Sequence, residues 1–116
     1  MIEPFLTKQS TVSVNITNSS ENRDTNQILY LKAESNYTEF YFENGQKKMF
    51  ALTLKRYEHT LKGIFIRVHH SYLVNQKFIT RYQAKYSKIL LADDTEIPVS
   101  RSKKSIIKAY FKSVKI

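Results

Sequence analysis

The sequence predicts a mainly β domain with one short internal helix and one terminal helix. Three observations carry that expectation. Eight tyrosines and seven phenylalanines among 116 residues favour pleated, half-buried surfaces. Short runs of alternating or continuously apolar residues are separated by turn signals, "ENG" at residues 43–45 and "DDT" at residues 93–95. That is the pattern of antiparallel hairpins. A helical period appears in only two places, after Thr53 and after Arg101.

In chain order, "STVSVNIT" (residues 10–17) alternates polar and apolar side chains and reads as a half-buried strand. "NSSENRDTN" (residues 18–26) has no large apolar group and reads as a loop. "ILYL" (residues 28–31) is continuously apolar, as in a buried strand, and "YTEFYF" (residues 37–42) alternates. Asn44-Gly45 predicts a type I′ turn, with "QKKMFAL" returning as the partner strand. Leu54, Tyr57 and Leu61 then fall on one face of a short helix, with Thr53 as its N-cap and Gly63 as its stop. "IFIRV", "SYLV" and "KFITRY" are extended, and "SKILLADDTEIPVS" is a second hairpin whose Pro98 belongs at a sheet edge. The last stretch is helical. Ile106, Ile107, Tyr110, Phe111 and Val114 form its apolar face, and Lys104, Lys108, Lys112 and Lys115 its basic one. Helix count and order do not fit a helix-turn-helix, so any contact with nucleic acid must come from loops or strand ends.

Composition narrows function. The length allows one modest core. The absence of cysteine excludes disulfides, thiolate zinc sites and cysteine nucleophiles. No apolar run approaches the length of a membrane span, and "MIEPFLTKQS" lacks the apolar region of a signal peptide. A cytoplasmic protein with no membrane partner is expected. The Asn-x-Ser/Thr triplets at Asn15, Asn18 and Asn36 read as chance matches. Nineteen basic and ten acidic residues give a net charge of +9. Six of the basic residues and none of the acidic ones lie in residues 101–116. A surface of this kind suits a polyanion; the plainer alternative is a merely soluble basic protein.

The order of signals resembles the LytTR DNA-binding domain of bacterial response regulators. The resemblance rests on Ile28 to Leu31, Asn36-Tyr37, Asn44-Gly45, the helix up to Leu61, "FIRVHHSYLVN" (residues 65–75), Ile79 and "IPVSR" (residues 97–101). It covers residues 27–112. It implies elongated, stacked antiparallel sheets whose loops enter successive major grooves, binding to paired direct repeats in promoters, and bending of the DNA. A homodimer on DNA is compatible with such repeats. The expected division is an N-terminal strand and polar loop in residues 1–26 and the LytTR domain in residues 27–116. Such domains usually follow a receiver domain, for which the segment before residue 28 is too short.

Arg101 is the foremost candidate for a base contact, because a guanidinium can bond guanine O6 and N7 together and the family reads a base with an arginine here. The alternative is an ordinary surface arginine. His70 occupies a variable family slot and can meet a base edge, a phosphate or nothing. Asn36, Tyr37 and Thr38, in the loop from Ala33 to Thr38, are further base-contact candidates. His69 is expected to bond a phosphate or to shape the loop, Ser71 to bond a phosphate, and Lys103 and Lys104 to supply unspecific phosphate contacts. Arg67 either faces the DNA backbone or pairs with a glutamate. Asn75 is expected to bond local backbone at a strand end. No metal, cofactor or catalytic residue is expected. His69 and His70, adjacent on a strand, should point to opposite faces and share no ion or pocket. Protonation of both would make binding tighter as pH falls. The competing readings are a basic β module for RNA or single strands, which needs exposed aromatics on one sheet face, and a protein-interaction module.

Overall fold

The computed structural model describes residues 13–15 and 22–114. Ten strands and two α-helices follow in the order β1 (Ser13–Asn15), β2 (Asn22–Asp24), β3 (Ile28–Glu34), β4 (Tyr37–Phe42), β5 (Lys47–Phe50), α1 (Leu54–Thr60), β6 (Phe65–His69), β7 (Tyr72–Asn75), β8 (Ile79–Gln83), β9 (Lys88–Leu91), β10 (Glu96–Pro98) and α2 (Lys104–Val114). Single 3-10 turns occupy Thr25–Gln27, Gln76–Phe78, Ala84–Tyr86 and Arg101–Lys103. A five-stranded sheet has the order β5-β4-β3-β7-β6, a three-stranded sheet the order β10-β9-β8, and β1 pairs with β2. All these strand pairs are antiparallel. The fold is the predicted mainly β one, with stacked sheets and a helix on either side.

The central strand β3 explains the stacking. Its apolar run feeds two cores. Ile28 and Leu31 join Phe40, Tyr57, Leu61 and Leu73 beneath α1. Leu29 and Tyr30 join Val68, Val74, Ile89, Ile97 and Ile107 between the two sheets and α2. A register shift between Ile28 and Tyr30 puts two successive side chains on one side, as a bulge does. In the first core Phe40 meets Tyr57 and Phe50 edge to face, with ring centroids 4.9 and 5.1 Å apart. Each such contact adds about 0.5–1.5 kcal/mol to the area buried, which is why α1 docks on this face. In the second, Phe111 of α2 stacks on Tyr82 at 5.9 Å.

Several local expectations change. Gly45 has φ 91°, but Asn44 has no positive φ, so the turn is not type I′. Gly45 N–H donates to Phe42 O and Phe42 N–H to Gln46 O (3.0 and 2.9 Å), the pattern of a three-residue loop closed by a glycine bulge. The second hairpin repeats it with Asp94 (φ 71°) in the glycine's place, and Pro98 lies on edge strand β10, as expected. Residues 22–24, read as loop, form β2; the outer part of the strand expected at residues 10–17 lies outside the described residues. Thr53 has cap geometry (φ −78°, ψ 160°), but its side chain makes no capping bond. On α2, Ile107 is fully buried while Ile106 is 47 % exposed, so Ile106 does not belong to the core-facing stripe.

Candidate nucleic-acid interface

Antiparallel register fixes which turns share an end of the molecule. The β3–β4 hairpin closes at Glu34↔Tyr37, leaving Ser35-Asn36 as a two-residue turn. Ser35 alone has a positive φ (54°), as at the first central position of a type II′ turn. The expected reading loop from Ala33 to Thr38 is therefore a tight hairpin tip. Beside it, β6 and β7 close at His69↔Tyr72, leaving His70-Ser71 as a second tip. The two lie side by side, because Ala33 N–H donates to Ser71 O at 2.9 Å. A register shift between Arg67 and His69 makes Val68 a bulge residue. Its carbonyl accepts Ser100 N–H at 2.9 Å, bringing Arg101 next to the second tip. Three sequence-distant segments thus form a row: Asn36, then His70, then Arg101.

The candidate residues separate along this row. Arg101, His70 and Asn36 are exposed, and Tyr37 is 49 % exposed at the start of β4. Thr38 is not available. It is fully buried, and its hydroxyl donates to Leu52 O at 2.7 Å, so its candidacy for a base contact is withdrawn. Arg101 opens the 3-10 turn that leads into α2, with Val99 and Ser100 separating it from the end of edge strand β10 at Pro98. Lys104 is exposed and Lys103 half-buried.

Arg67 is spent within the protein. Its Nε donates to His69 O (2.8 Å) and one terminal nitrogen to His70 O (2.6 Å). The other pairs with Glu58 of α1. Of the two roles open for Arg67, the glutamate pair is the one found, and its phosphate contact is withdrawn. The guanidinium instead fixes the backbone that carries His70. Asn75 is buried and donates to Thr25 O and Ile28 O (3.0 and 2.9 Å) while accepting from Lys77 N–H (3.1 Å). It holds strand ends together.

The histidine pair does not diverge. His69 ends β6 while His70 lies in the turn, and the rings stack with centroids 4.5 Å apart. Strand alternation stops where the strand stops, so the expected opposition of faces is corrected. His69 Nδ1 accepts Ser71 N–H at 3.1 Å, which places the neutral ring's proton on Nε2. Burial lowers its pKa from the ordinary histidine value, and the neighbouring His70 and Arg67 lower it further. Among the described residues no group of three or more His, Cys, Asp or Glu could hold a metal ion.

The structure adds residues that local pattern did not single out. A cleft between α1 and the Arg101 segment is lined by Lys55, His70, Ser100, Ser102 and Lys103, with Glu58 and Arg67 at its wall. Lys55 reaches it because α1 packs across β6, a placement set by tertiary structure. None of the described helices is long and apolar enough to cross a membrane.

A mainly β body that presents exposed Asn, His and Arg side chains on one row of turns, with lysines around them, has the form of a nucleic-acid-binding domain. The chain belongs to the LytTr DNA-binding domain family, whose sequence model matches residues 18–112. It is similar to the solved LytTr DNA-binding domain of a protein from Bacillus cereus described as a methyl-accepting/DNA response regulator. The identity is 27 %, 84 % of this chain and 93 % of that one are covered, and the TM-score is 0.66. No curated protein matches the chain. DNA binding is the activity that family membership assigns.

Proposed function

We propose that the domain reads double-stranded DNA by sequence, as the non-enzymatic output module of a transcriptional regulator, with its row of turns laid into major grooves. The observation that carries this reading is the row itself. Asn36, His70 and Arg101 come from distant parts of the chain and are tied into one line by backbone hydrogen bonds at 2.9 Å. Arg101 reads guanine through O6 and N7, and His70 and Asn36, with Tyr37 beside it, meet base edges farther along the duplex, the Asn36 tip in the next major groove. Ser71, Lys103, Lys104 and the cleft lysine Lys55 contact phosphates, which position the domain without reading sequence. Of the two roles expected for His69, the loop-shaping one is carried by Nδ1, and its Nε2–H is the donor this reading assigns to a phosphate. Promoter direct repeats, each filled by one copy and the two copies forming a dimer on DNA, are the natural targets. The setting is the bacterial cytoplasm.

A single-strand or RNA platform draws no support from the surface. The most exposed large apolar side chains, Tyr37, Met49, Tyr86 and Ile106, lie on separate elements, while Tyr30 and Tyr41 stack on each other at 4.3 Å at the second core.

Selection of bound duplexes from a random pool tests the proposal, with Arg101→Ala compared on the selected duplex and on random duplex. The variant should lose about 1–3 kcal/mol on the selected sequence and little on the random one. Equal losses on both would refute the base-reading role.

A further inference from the structure

The row does not end at Arg101. Val99 N–H donates to Ser87 O at 2.8 Å, so the turn between β8 and β9 stands beside the Arg101 segment. Arg101 is two residues from one partner of that bond and Tyr86 one residue from the other. The turn is a 3-10 turn, Ala84–Tyr86, closed by Ser87 in the left-handed region (φ 53°). It pushes Tyr86 outward, where the side chain is 63 % exposed, more than any other large apolar side chain described. The Lys85 and Lys88 ammonium groups lie over its ring, 5.7 and 5.5 Å from the centroid. Lys88 is also paired with Glu96 at 2.9 Å, whereas Lys85 has no acidic partner among the described residues.

Burial does not explain an aromatic ring held outward beside two cations, and no core residue contacts it through stacking. The arrangement suits a sugar–phosphate backbone. The ammonium groups neutralise phosphate, and the ring lies flat against a deoxyribose without needing any particular base. We propose that Lys85 and Tyr86 form a fourth contact element, which grips the DNA backbone on the flank of the site read by Arg101 and extends the footprint without adding sequence preference. The inference rests on the double-stranded DNA reading above and deepens it. Local sequence could not place this tip on the interface, because its position depends on the Val99–Ser87 bond across two strands.

The test uses the full chain and a duplex selected from a random pool by the wild-type protein. Binding is measured against salt, and backbone protection is mapped by cleavage, for wild type, Lys85→Ala, Lys85→Arg and Tyr86→Ala. Thermal midpoints verify that these exposed-site variants fold. Lys85→Ala should lower the salt slope by about one and erase protection on one flank, with the ratio of selected to random binding unchanged. Lys85→Arg should restore both, and Tyr86→Ala should lose the flank protection with the slope kept. Wild-type slope and footprint in Lys85→Ala, or a fall in the selected-to-random ratio, would overturn the proposal. Failure of the wild-type chain to select any duplex would refute the DNA-reading function itself, a separate outcome.

Discussion

His69 shows how one residue can hold a recognition turn in a single protonation state. Its Nδ1 accepts Ser71 N–H, and only the neutral ring can do so, because imidazolium has two donors and no acceptor. Burial, helped by His70 and Arg67, lowers its native pKa. The sign follows from linkage. Below about pH 6.5 the unfolded chain starts to bind a proton that the folded turn refuses. The stability contributed by neutral His69 is therefore complete above that pH and is lost as pH falls through it toward the lower native pKa. From the histidine pair alone, acid should tighten DNA binding; at the level of folding stability, acid instead weakens the turn that neutral His69 holds. The gap between the denaturation midpoints of wild type and His69→Gln should be widest at pH 7.5 and narrow as pH falls through about 6.5 toward 5.5. A gap of constant size across that range would refute the account. The residue scale also marks where sequence stops being informative. Asn75 could be assigned to backbone bonding because Asn at a strand end has few other uses. Thr38 could not be told from its neighbour Tyr37, since sidedness at the start of a strand depends on register, and a shift of one residue exchanges core for solvent.

At the scale of elements, the turn carrying His70 is held from three directions: Ser71 O bonds β3, Val68 O bonds Ser100, and Arg67 bridges the turn to Glu58 on α1. The Arg67 side chain is 16 % exposed and Glu58 41 %, so solvent screens part of the attraction. A coupling of about 1 kcal/mol is expected in a double-mutant cycle of Glu58→Gln and Arg67→Lys followed by denaturation. Lysine keeps the charge of Arg67 but not the fork that spans two carbonyls and a carboxylate, so Arg67→Lys should also weaken selected-duplex binding more than random binding. Additive stabilities with an unchanged binding ratio would show that the bridge does not position the turn. Elements such as the two hairpins, the edge strand of Pro98 and both helices were readable because turn chemistry and apolar spacing are local properties. The bulges at Leu29 and Val68 were not, since they arise from pairing between strands. Strand β2 carries no apolar signal in "NRD", and its pairing with β1 is a backbone matter. Ile106 looked like core because two adjacent isoleucines on a helix cannot both be assigned a face from period alone.

At the scale of the molecule, the two larger dimensions are 41 and 40 Å. Successive major grooves on one face of a duplex open about 34–36 Å apart, a separation that does not exceed the length of the molecule, and the proposed reading places the two ends of the row in two such grooves. From the Asn36 tip through His70 to Arg101 the base-reading part of the row has backbone bonds at each step, so these positions cannot be moved independently. Its spacing is set by the covalent and hydrogen-bonded frame rather than by a flexible linker. Such a reader requires a matching phase in its DNA. The selected sequence should contain two informative blocks about 10 base pairs apart, centre to centre, one met by the Asn36 tip and the other by Arg101. Inserting about 5 base pairs between them turns the second block to the opposite face of the duplex and should reduce affinity to that of random DNA, whereas inserting a full turn of about 10 should not restore it, because the rigid row cannot lengthen. The second insertion is the decisive measurement. Two copies joined by a dimer contact, each reading one block, could tolerate a full added turn; one rigid copy reading both could not. Recovery of binding with the full-turn insertion would therefore assign the two blocks to separate copies and overturn the two-groove reading by one domain.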